Sequence, residues 1–251
     1  MTFPVPVGAD NTFSTFLNFI FFVSQMSVNF FKKIHNFTGK IIRKNKKIPI
    51  VKQASTDSVQ QLAWDMVQAL EQDDFFLNYQ PQINLSTGQL LGVETLIRWR
   101  HPQLGLVSPA TFIPIAEKNG LIVPIGYWVL KQSCLQYQKW RALGIPPFKI
   151  SVNLSLRQLQ EENLVPRIQA ILHETQMNPQ ALALEVTESL MYQEPEKVIA
   201  RLTRLKQMGI QVAIDDFGVG YSSLSYLKNL PLHILKIDKS FLDDLVDTEK
   251  D

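Results

Sequence analysis

Six short apolar stretches in the chain each end in a side chain that can bind a cation or a phosphate. The residues at those ends are Gln80, Glu94, Asn153, Glu185, the pair Asp215 and Asp216, and Lys236. In an α/β barrel the parallel strands end on one common face, and the functional residues lie at those ends. Because helix-like segments separate most of these stretches, the series predicts one site assembled from several strands.

Three carboxylates and one amide within this series form an all-oxygen set of candidate metal ligands. They are Glu94, Asn153, Glu185 and Asp215. Oxygen ligands suit Mg²⁺ or Mn²⁺, whereas zinc sites usually include His or Cys. The four histidines lack metal-ligand spacing, and Cys134 is the single cysteine, which excludes an internal disulfide. The composition therefore favours a hard divalent cation over zinc.

Several of these residues also have a structural interpretation when each is taken alone. Asn153 could cap the helix that follows its strand. Asp215 and Asp216 could form a turn, and Arg98 could be an ordinary residue of a barrel rim. The functional interpretation depends on their occurring together at strand ends.

Alternating strand-like and helix-like segments predict the elements that carry these residues. Strands are predicted at 76–84, 89–99, 148–153, 182–186, 211–215 and 232–237. Helices are predicted at 109–119, 128–143, 164–175, 196–208 and 222–230, and another begins near Ser58. The turn sequence Ser86-Thr87-Gly88 favours an antiparallel pairing of the first two strands. The later alternation is typical of a parallel sheet closed as a barrel.

The chain has two parts whose net charges are opposite in sign, residues 1–55 and residues 56–251. The first part holds eight Lys or Arg against one acid, and the second holds 17 against 22 acids. Residues 11–31 are uncharged and contain seven phenylalanines, but their apolar run is too short and diluted to span a bilayer. We interpret residues 1–55 as a leader, either flexible or associated with a membrane surface through residues 11–47. The lysines lack a nucleic-acid-binding motif, so no nucleic acid polymer is expected as a partner.

The site residues also form recognisable sequence strings. In chain order these strings are Tyr79-Gln80-Pro81, Glu94-Thr95-Leu96-Ile97-Arg98-Trp99, Val152-Asn153-Leu154-Ser155, Glu185-Val186-Thr187-Glu188, Asp215-Asp216-Phe217-Gly218-Val219-Gly220-Tyr221-Ser222-Ser223 and Lys236-Ile237-Asp238. Their identity and order resemble EAL domains, which are bacterial phosphodiesterases of the second messenger cyclic di-GMP. The resemblance extends from about residue 58 to the last residues.

The resemblance implies a TIM-like (β/α)8 barrel with one antiparallel strand, over residues 56–251. It implies hydrolysis of cyclic di-GMP to linear pGpG at a site with two Mg²⁺ or Mn²⁺ ions. Glu94, Asn153, Glu185 and Asp215 would bind the first ion, and Asp216 would help to hold the second. Lys236 would contact the nucleophilic water or the phosphate, and Glu188 would fix the loop 216–223. The substrate would be contacted by Gln80, Leu96 and Arg98.

The chain departs from the family pattern at two positions and after its sixth predicted strand. Thr95 replaces the usual Ala, which is expected to matter little, and Val219 replaces the usual Thr of the glycine loop. The glutamate motif of the seventh strand and the motif of the eighth are absent, so we expect a truncated barrel lacking its last two strand–helix units. The alternative is a weak or inactive EAL module that binds cyclic di-GMP or a protein partner. We expect a cytoplasmic protein, with attachment to the inner face of the plasma membrane and a homodimer both left open.

Overall fold

A computed structural model of the chain describes residues 18–20, 56–187, 195–218, 230–238 and 240. Within these residues, eight strands form one sheet, and six α-helices are assigned. The strands are β1 Asn18–Ile20, β2 Phe75–Ile83, β3 Leu90–His101, β4 Gly105–Val107, β5 Lys149–Asn153, β6 Leu182–Thr187, β7 Gln211–Phe217 and β8 Ile234–Ile237. The helices are α1 Thr56–Glu71, α2 Pro109–Asn119, α3 Ile122–Ala142, α4 Leu156–Gln160, α5 Leu164–Glu174 and α6 Pro195–Gln207, and a single 3₁₀ turn covers Pro179–Ala181.

The sheet follows the predicted topology. Its strand order is β1-β8-β7-β6-β5-β3-β2, and β4 pairs with β3 outside that order. The neighbours from β3 through β5, β6 and β7 to β8 are all parallel, whereas β2 and β3 are antiparallel. The six predicted strands and the antiparallel first pair are therefore confirmed. Because five strands run in one direction, their carboxyl ends share one edge of the sheet.

Some elements differ from the sequence-based expectations. The patterns do not predict β4 or α4, which are only three and five residues long. Helix α3 begins at Ile122 and not near residue 128, since Pro124 falls in the first turn, where its missing N–H is tolerated. Helix α2 ends as predicted at Gly120, whose φ of 76° suits glycine.

Only three residues of the segment 1–55, which the sequence predicts to be a leader, are described. Strand β1 pairs in parallel with β8, with Phe19 opposite Leu235. The rest of the proposed membrane-associated range 11–47 lies outside the described residues, as do Val219 and the predicted helix at 222–230 apart from its last residue. No helix among the described residues is long and apolar enough to cross a bilayer.

Packing of the aromatic core determines which face of the β2–β3 pair is buried and which face is left for functional residues. Phe75 lies 5.6 Å from Trp99, and Trp99 lies 5.6 Å from Phe112 of α2, measured between ring centroids. Trp99 and Phe112 are completely buried. Successive side chains of a strand point to opposite faces, so the residues next to Trp99 in sequence point away from this core.

The packing of α3 against α4 holds the chain directly after β5. Ser155 caps α4: its Oγ accepts from the N–H of Gln158 at 3.3 Å, and its own N–H donates to Gln158 Oε1 at 3.2 Å. Gln158 is buried against Gly126, where an added Cβ would lie 2.3 Å from Gln158 Nε2. The capping box therefore depends on the absence of a side chain at residue 126.

Replacing Gly126 by alanine is expected to destabilise the protein although alanine favours helices. Overpacking costs about 1–3 kcal/mol, while the helix propensity gains about 1 kcal/mol. We expect a net loss of about 1 kcal/mol in the free energy of unfolding, measured by urea denaturation. The double variant Gly126→Ala/Gln158→Ala should be more stable than the sum of the two single effects predicts. Strict additivity would show that the clash with Gln158 is not the cause.

Candidate metal centre

Three carboxylates from separate strands converge at the carboxyl edge of the sheet. Glu94 lies in β3, Glu185 in β6 and Asp215 in β7, and one oxygen from each lies within 4.8 Å of the others. The side chains of Glu94 and Glu185 are 9% and 1% exposed, whereas that of Asp215 is 20% exposed. The three predicted acidic ligands are thus brought together in a cluster that is largely removed from water.

The ammonium group of Lys236 lies among these three carboxylates. Its Nζ donates to Glu185 Oε2 at 2.7 Å, to Asp215 Oδ2 at 2.9 Å and to Glu94 Oε2 at 3.0 Å. Lys236 is in β8, next to β7 in the sheet, and its side chain is only 5% exposed. A buried charge requires compensation of this kind, since burial without a partner is strongly unfavourable.

Burial and the neighbouring charges shift the pKa values of Glu185 and Lys236 in opposing ways. Burial raises the pKa of Glu185 to about 7; Glu94 and Asp215 also raise it, whereas Lys236 lowers it. Burial lowers the pKa of Lys236, but the three surrounding carboxylates outweigh it and raise that pKa above its ordinary value. Lys236 therefore stays protonated at neutral pH and compensates only part of the carboxylate charge.

A divalent cation fits this donor set. Three carboxylates stand against one ammonium in a largely buried cluster, and all the ligand atoms offered are oxygens. Asn153, at the end of β5, lies beside the same group and donates from Nδ2 to Glu94 Oε1 at 3.3 Å. Its alternative interpretation as the cap of the following helix is wrong, because Ser155 is the N-cap of α4.

Asp216 occupies a constrained position next to the cluster. Its φ of 53° lies in the left-handed region, and its N–H donates to Asp215 Oδ1 at 3.0 Å. Burial raises the pKa of Asp216, with further contributions from Asp215 and Asp238. Asp238 forms part of the quoted string after Lys236 but received no predicted role. Asp238 directly follows β8, and its spacing of two residues from Lys236 is the pattern that could have identified it.

The predicted substrate residues lie on one face of the β2–β3 pair. Gln80 is directly opposite Glu94 in the antiparallel register, and Leu96 and Arg98 follow Glu94 at alternate positions along β3. All three are partly exposed. The guanidinium of Arg98 donates from Nη1 to the carbonyl oxygen of Ile97 at 2.8 Å. Glu188, predicted to fix the loop after β7, lies outside the described residues.

Thr95 points away from this face. Its Oγ1 accepts a hydrogen bond from Ser133 Oγ of α3 at 3.2 Å, and both residues are buried. The extra hydroxyl relative to the usual alanine is therefore satisfied inside the protein, at a distance from the carboxylates. The small effect of this exchange on the site stays a prediction.

Comparison with known proteins decides the family. The model of the EAL domain matches residues 64–251, which is most of the chain. The chain belongs to the EAL domain family. It is 44% identical over 191 residues to MucR of Pseudomonas aeruginosa, named a bifunctional diguanylate cyclase/cyclic di-GMP phosphodiesterase. It is 39% identical over 199 residues to a second protein of that bacterium, named a cyclic di-GMP phosphodiesterase.

These alignments cover 76% and 77% of the chain but only 28% and 34% of the two relatives, so the chain spans about a third or less of their length. A solved structure titled PaMucR phosphodiesterase, c-di-GMP complex, is 45% identical, with a TM-score of 0.70 over 74% of this EAL chain and 75% of that chain. The FimX EAL domain of P. aeruginosa bound to c-di-GMP is 30% identical, with a TM-score of 0.67 over 75% of each chain. The TIM-like α/β barrel fold of the family, with mostly parallel strands, is thereby confirmed for this EAL chain.

Proposed function

We propose that the chain hydrolyses cyclic di-GMP to linear pGpG in the presence of Mg²⁺ or Mn²⁺. The observation that carries the proposal is the convergence of Glu94, Glu185, Asp215 and Lys236 at the ends of four strands. The similarity to proteins named cyclic di-GMP phosphodiesterases supports the choice of substrate. A cluster of this charge suits a reaction in which negative charge must be neutralised at a phosphodiester.

The chain's own residues divide into a cation-binding group and a substrate-binding group. Glu94, Asn153, Glu185 and Asp215 would hold the first cation, with Asp216 at a second. A divalent cation bound there supplies Lewis-acid activation of water and of the phosphoryl group. Water adds to one phosphorus atom and the bond from that phosphorus to the ribose O3′ breaks, which opens the ring and leaves pGpG.

Lys236 is suited to position the attacking water or a phosphate oxygen. Its three Nζ hydrogen atoms donate to Glu94, Glu185 and Asp215, and a cation that binds these carboxylates would release one of them for the water or the phosphate. Lys236 stays charged because the surrounding carboxylates raise its pKa. Gln80 and Leu96 would contact the substrate beside the cation-binding group, and Arg98 would pair with a phosphate oxygen. Glu188 remains a proposed support for the loop that follows β7.

Two further expectations remain proposals about the protein as a whole. We propose that residues 56–251 act as the EAL unit and that residues 1–55 form a leader. We also propose action in the cytoplasm, where cyclic di-GMP is used as a messenger. Attachment to a membrane through residues 11–47 and formation of a homodimer stay open predictions.

Incubation of the purified chain with cyclic di-GMP tests the proposal directly. We expect pGpG to appear with Mg²⁺ or Mn²⁺ and to disappear when EDTA removes the cation, because the carboxylates alone cannot neutralise a phosphodiester. Nucleotides are separated by chromatography, and circular dichroism of the EDTA-treated chain shows that it stays folded. A folded chain that binds cyclic di-GMP without forming pGpG would replace hydrolysis by the binding-module alternative. Equal turnover with and without EDTA would contradict the cation site.

A further inference from the structure

The β2–β3 ribbon continues past the rim of the barrel beside the candidate metal centre. β3 pairs with β5 only from Gly92 to Thr95, whereas its pairing with β2 continues to Trp99. Beyond Thr95, the described partners of β3 are β2 and β4. The ribbon therefore forms a wall that extends outward from Glu94 on the side where the strands carry the functional residues.

Asn78 lies on the site-facing side of this wall. On either side of it in sequence, Leu77 and Tyr79 pack against the core, and the Tyr79 ring lies 4.7 Å from that of Trp140. Because side chains alternate along a strand, Asn78 points to the opposite face, together with Gln80. Its cross-strand partner is Leu96, just as Gln80 is paired with Glu94.

The side chain of Asn78 is available for a ligand. Asn78 is exposed, and its amide makes no hydrogen bond within the described part of the chain. Directly opposite residues of an antiparallel pair have Cβ atoms about 4.5–5.5 Å apart, so Asn78 lies side by side with Leu96. Asn78 is two residues from Gln80, the partner of Glu94, along β2. It therefore lies about 7 Å further outward than Glu94.

We infer that Asn78 hydrogen-bonds the nucleoside part of the bound cyclic dinucleotide and helps to determine substrate affinity. The inference rests on the proposed function, since it assumes that the phosphodiester lies at the level of Glu94. Asn78 is displaced from that level by about 7 Å. The ribose and guanine are the parts of the ligand that lie at a similar distance from the reacting phosphorus. A neutral amide has both donors and an acceptor, which suits a guanine edge or a ribose hydroxyl, whereas a phosphate offers acceptors alone.

Replacing Asn78 by alanine is expected to weaken binding and leave the chemical step unchanged. The KM for cyclic di-GMP and the dissociation constant measured by calorimetry in EDTA should both rise about 5- to 10-fold. The kcat should stay within about twofold, because Asn78 does not touch the reacting bond. The matched control is Gln89→Ala, which removes another exposed amide at the far end of the same hairpin and should change neither constant.

Binding of a second ligand, cyclic di-AMP, shows whether Asn78 contacts the guanine or the ribose. If Asn78 contacts the guanine edge, the variant should lose more affinity for cyclic di-GMP than for cyclic di-AMP. If it contacts a ribose, the two losses should be equal. Unchanged KM and dissociation constant would overturn the inference, as would a fall in kcat accompanied by a lower melting temperature. If the unaltered chain neither binds nor cleaves cyclic di-GMP, the proposed function itself fails and the inference fails with it.

Discussion

Replacing Glu94 by glutamine is expected to lower kcat for cyclic di-GMP by at least about 100-fold. Glu94 Oε2 accepts from Lys236, and its Oε1 accepts from Asn153, so this one carboxylate connects two of the other site residues. Glutamine preserves the shape of the side chain but removes one negative charge from the three that would hold a cation. Loss of a charged ligand weakens the cation and therefore the neutralisation of the phosphodiester.

Two measurements separate this effect from misfolding. Calorimetric titration with Mn²⁺ should show weaker binding by the variant, and the melting temperature in EDTA should not fall by more than a few degrees. The matched control is Glu174→Gln, whose carboxylate forms an exposed ion pair with Lys131 at 2.6 Å. Exposed pairs contribute about 0–1 kcal/mol, so this control should keep full activity. Unchanged kcat and Mn²⁺ affinity in Glu94→Gln would rule out the metal-centre assignment.

The convergence of the three carboxylates was predictable from sequence because strand ends are visible in the pattern of apolar residues. Each of Glu94, Glu185 and Asp215 follows or ends an apolar stretch, and a parallel sheet necessarily brings such ends to one edge. The type of ligand was equally visible, since oxygen donors indicate a hard cation whatever the detailed geometry. Local sequence therefore sufficed to predict which acidic residues converge, whereas their role as metal ligands stays a prediction.

The arrangement around Lys236 was not predictable by the same reasoning. Its contacts join β8 to β3, β6 and β7, across separations of 142, 51 and 21 residues. Such contacts depend on how the sheet curves, which no local pattern specifies. The short elements β4 and α4 were missed for a different reason: three and five residues are too few to show a hydrophobic period.

Replacing Lys236 by methionine is expected to destabilise the cation-free protein and to abolish turnover. The variant leaves three neighbouring carboxylates without their ammonium partner, and breaking a buried ion pair in this way costs about 3–5 kcal/mol. The loss is limited because burial already raises the pKa of Glu185 to about 7, so that this group can take up a proton. The free energy of unfolding in EDTA, measured by urea denaturation, should therefore fall by about 3 kcal/mol. The control Lys131→Met, at an exposed ion pair, should change it by less than about 1 kcal/mol.

Addition of Mn²⁺ should stabilise the Lys236→Met variant more than it stabilises the unaltered chain. Without Lys236, the carboxylates repel one another more strongly, and a bound cation no longer shares them with an ammonium group. The melting temperature of Lys236→Met should then rise further on addition of Mn²⁺ than that of the unaltered chain, while activity stays lost because no group positions the water or the phosphate. This combination distinguishes an internal counter-charge from a purely catalytic lysine, which would alter turnover alone. If Lys236→Met is as stable as the unaltered chain in EDTA, Lys236 does not compensate the carboxylates as the three short contacts indicate.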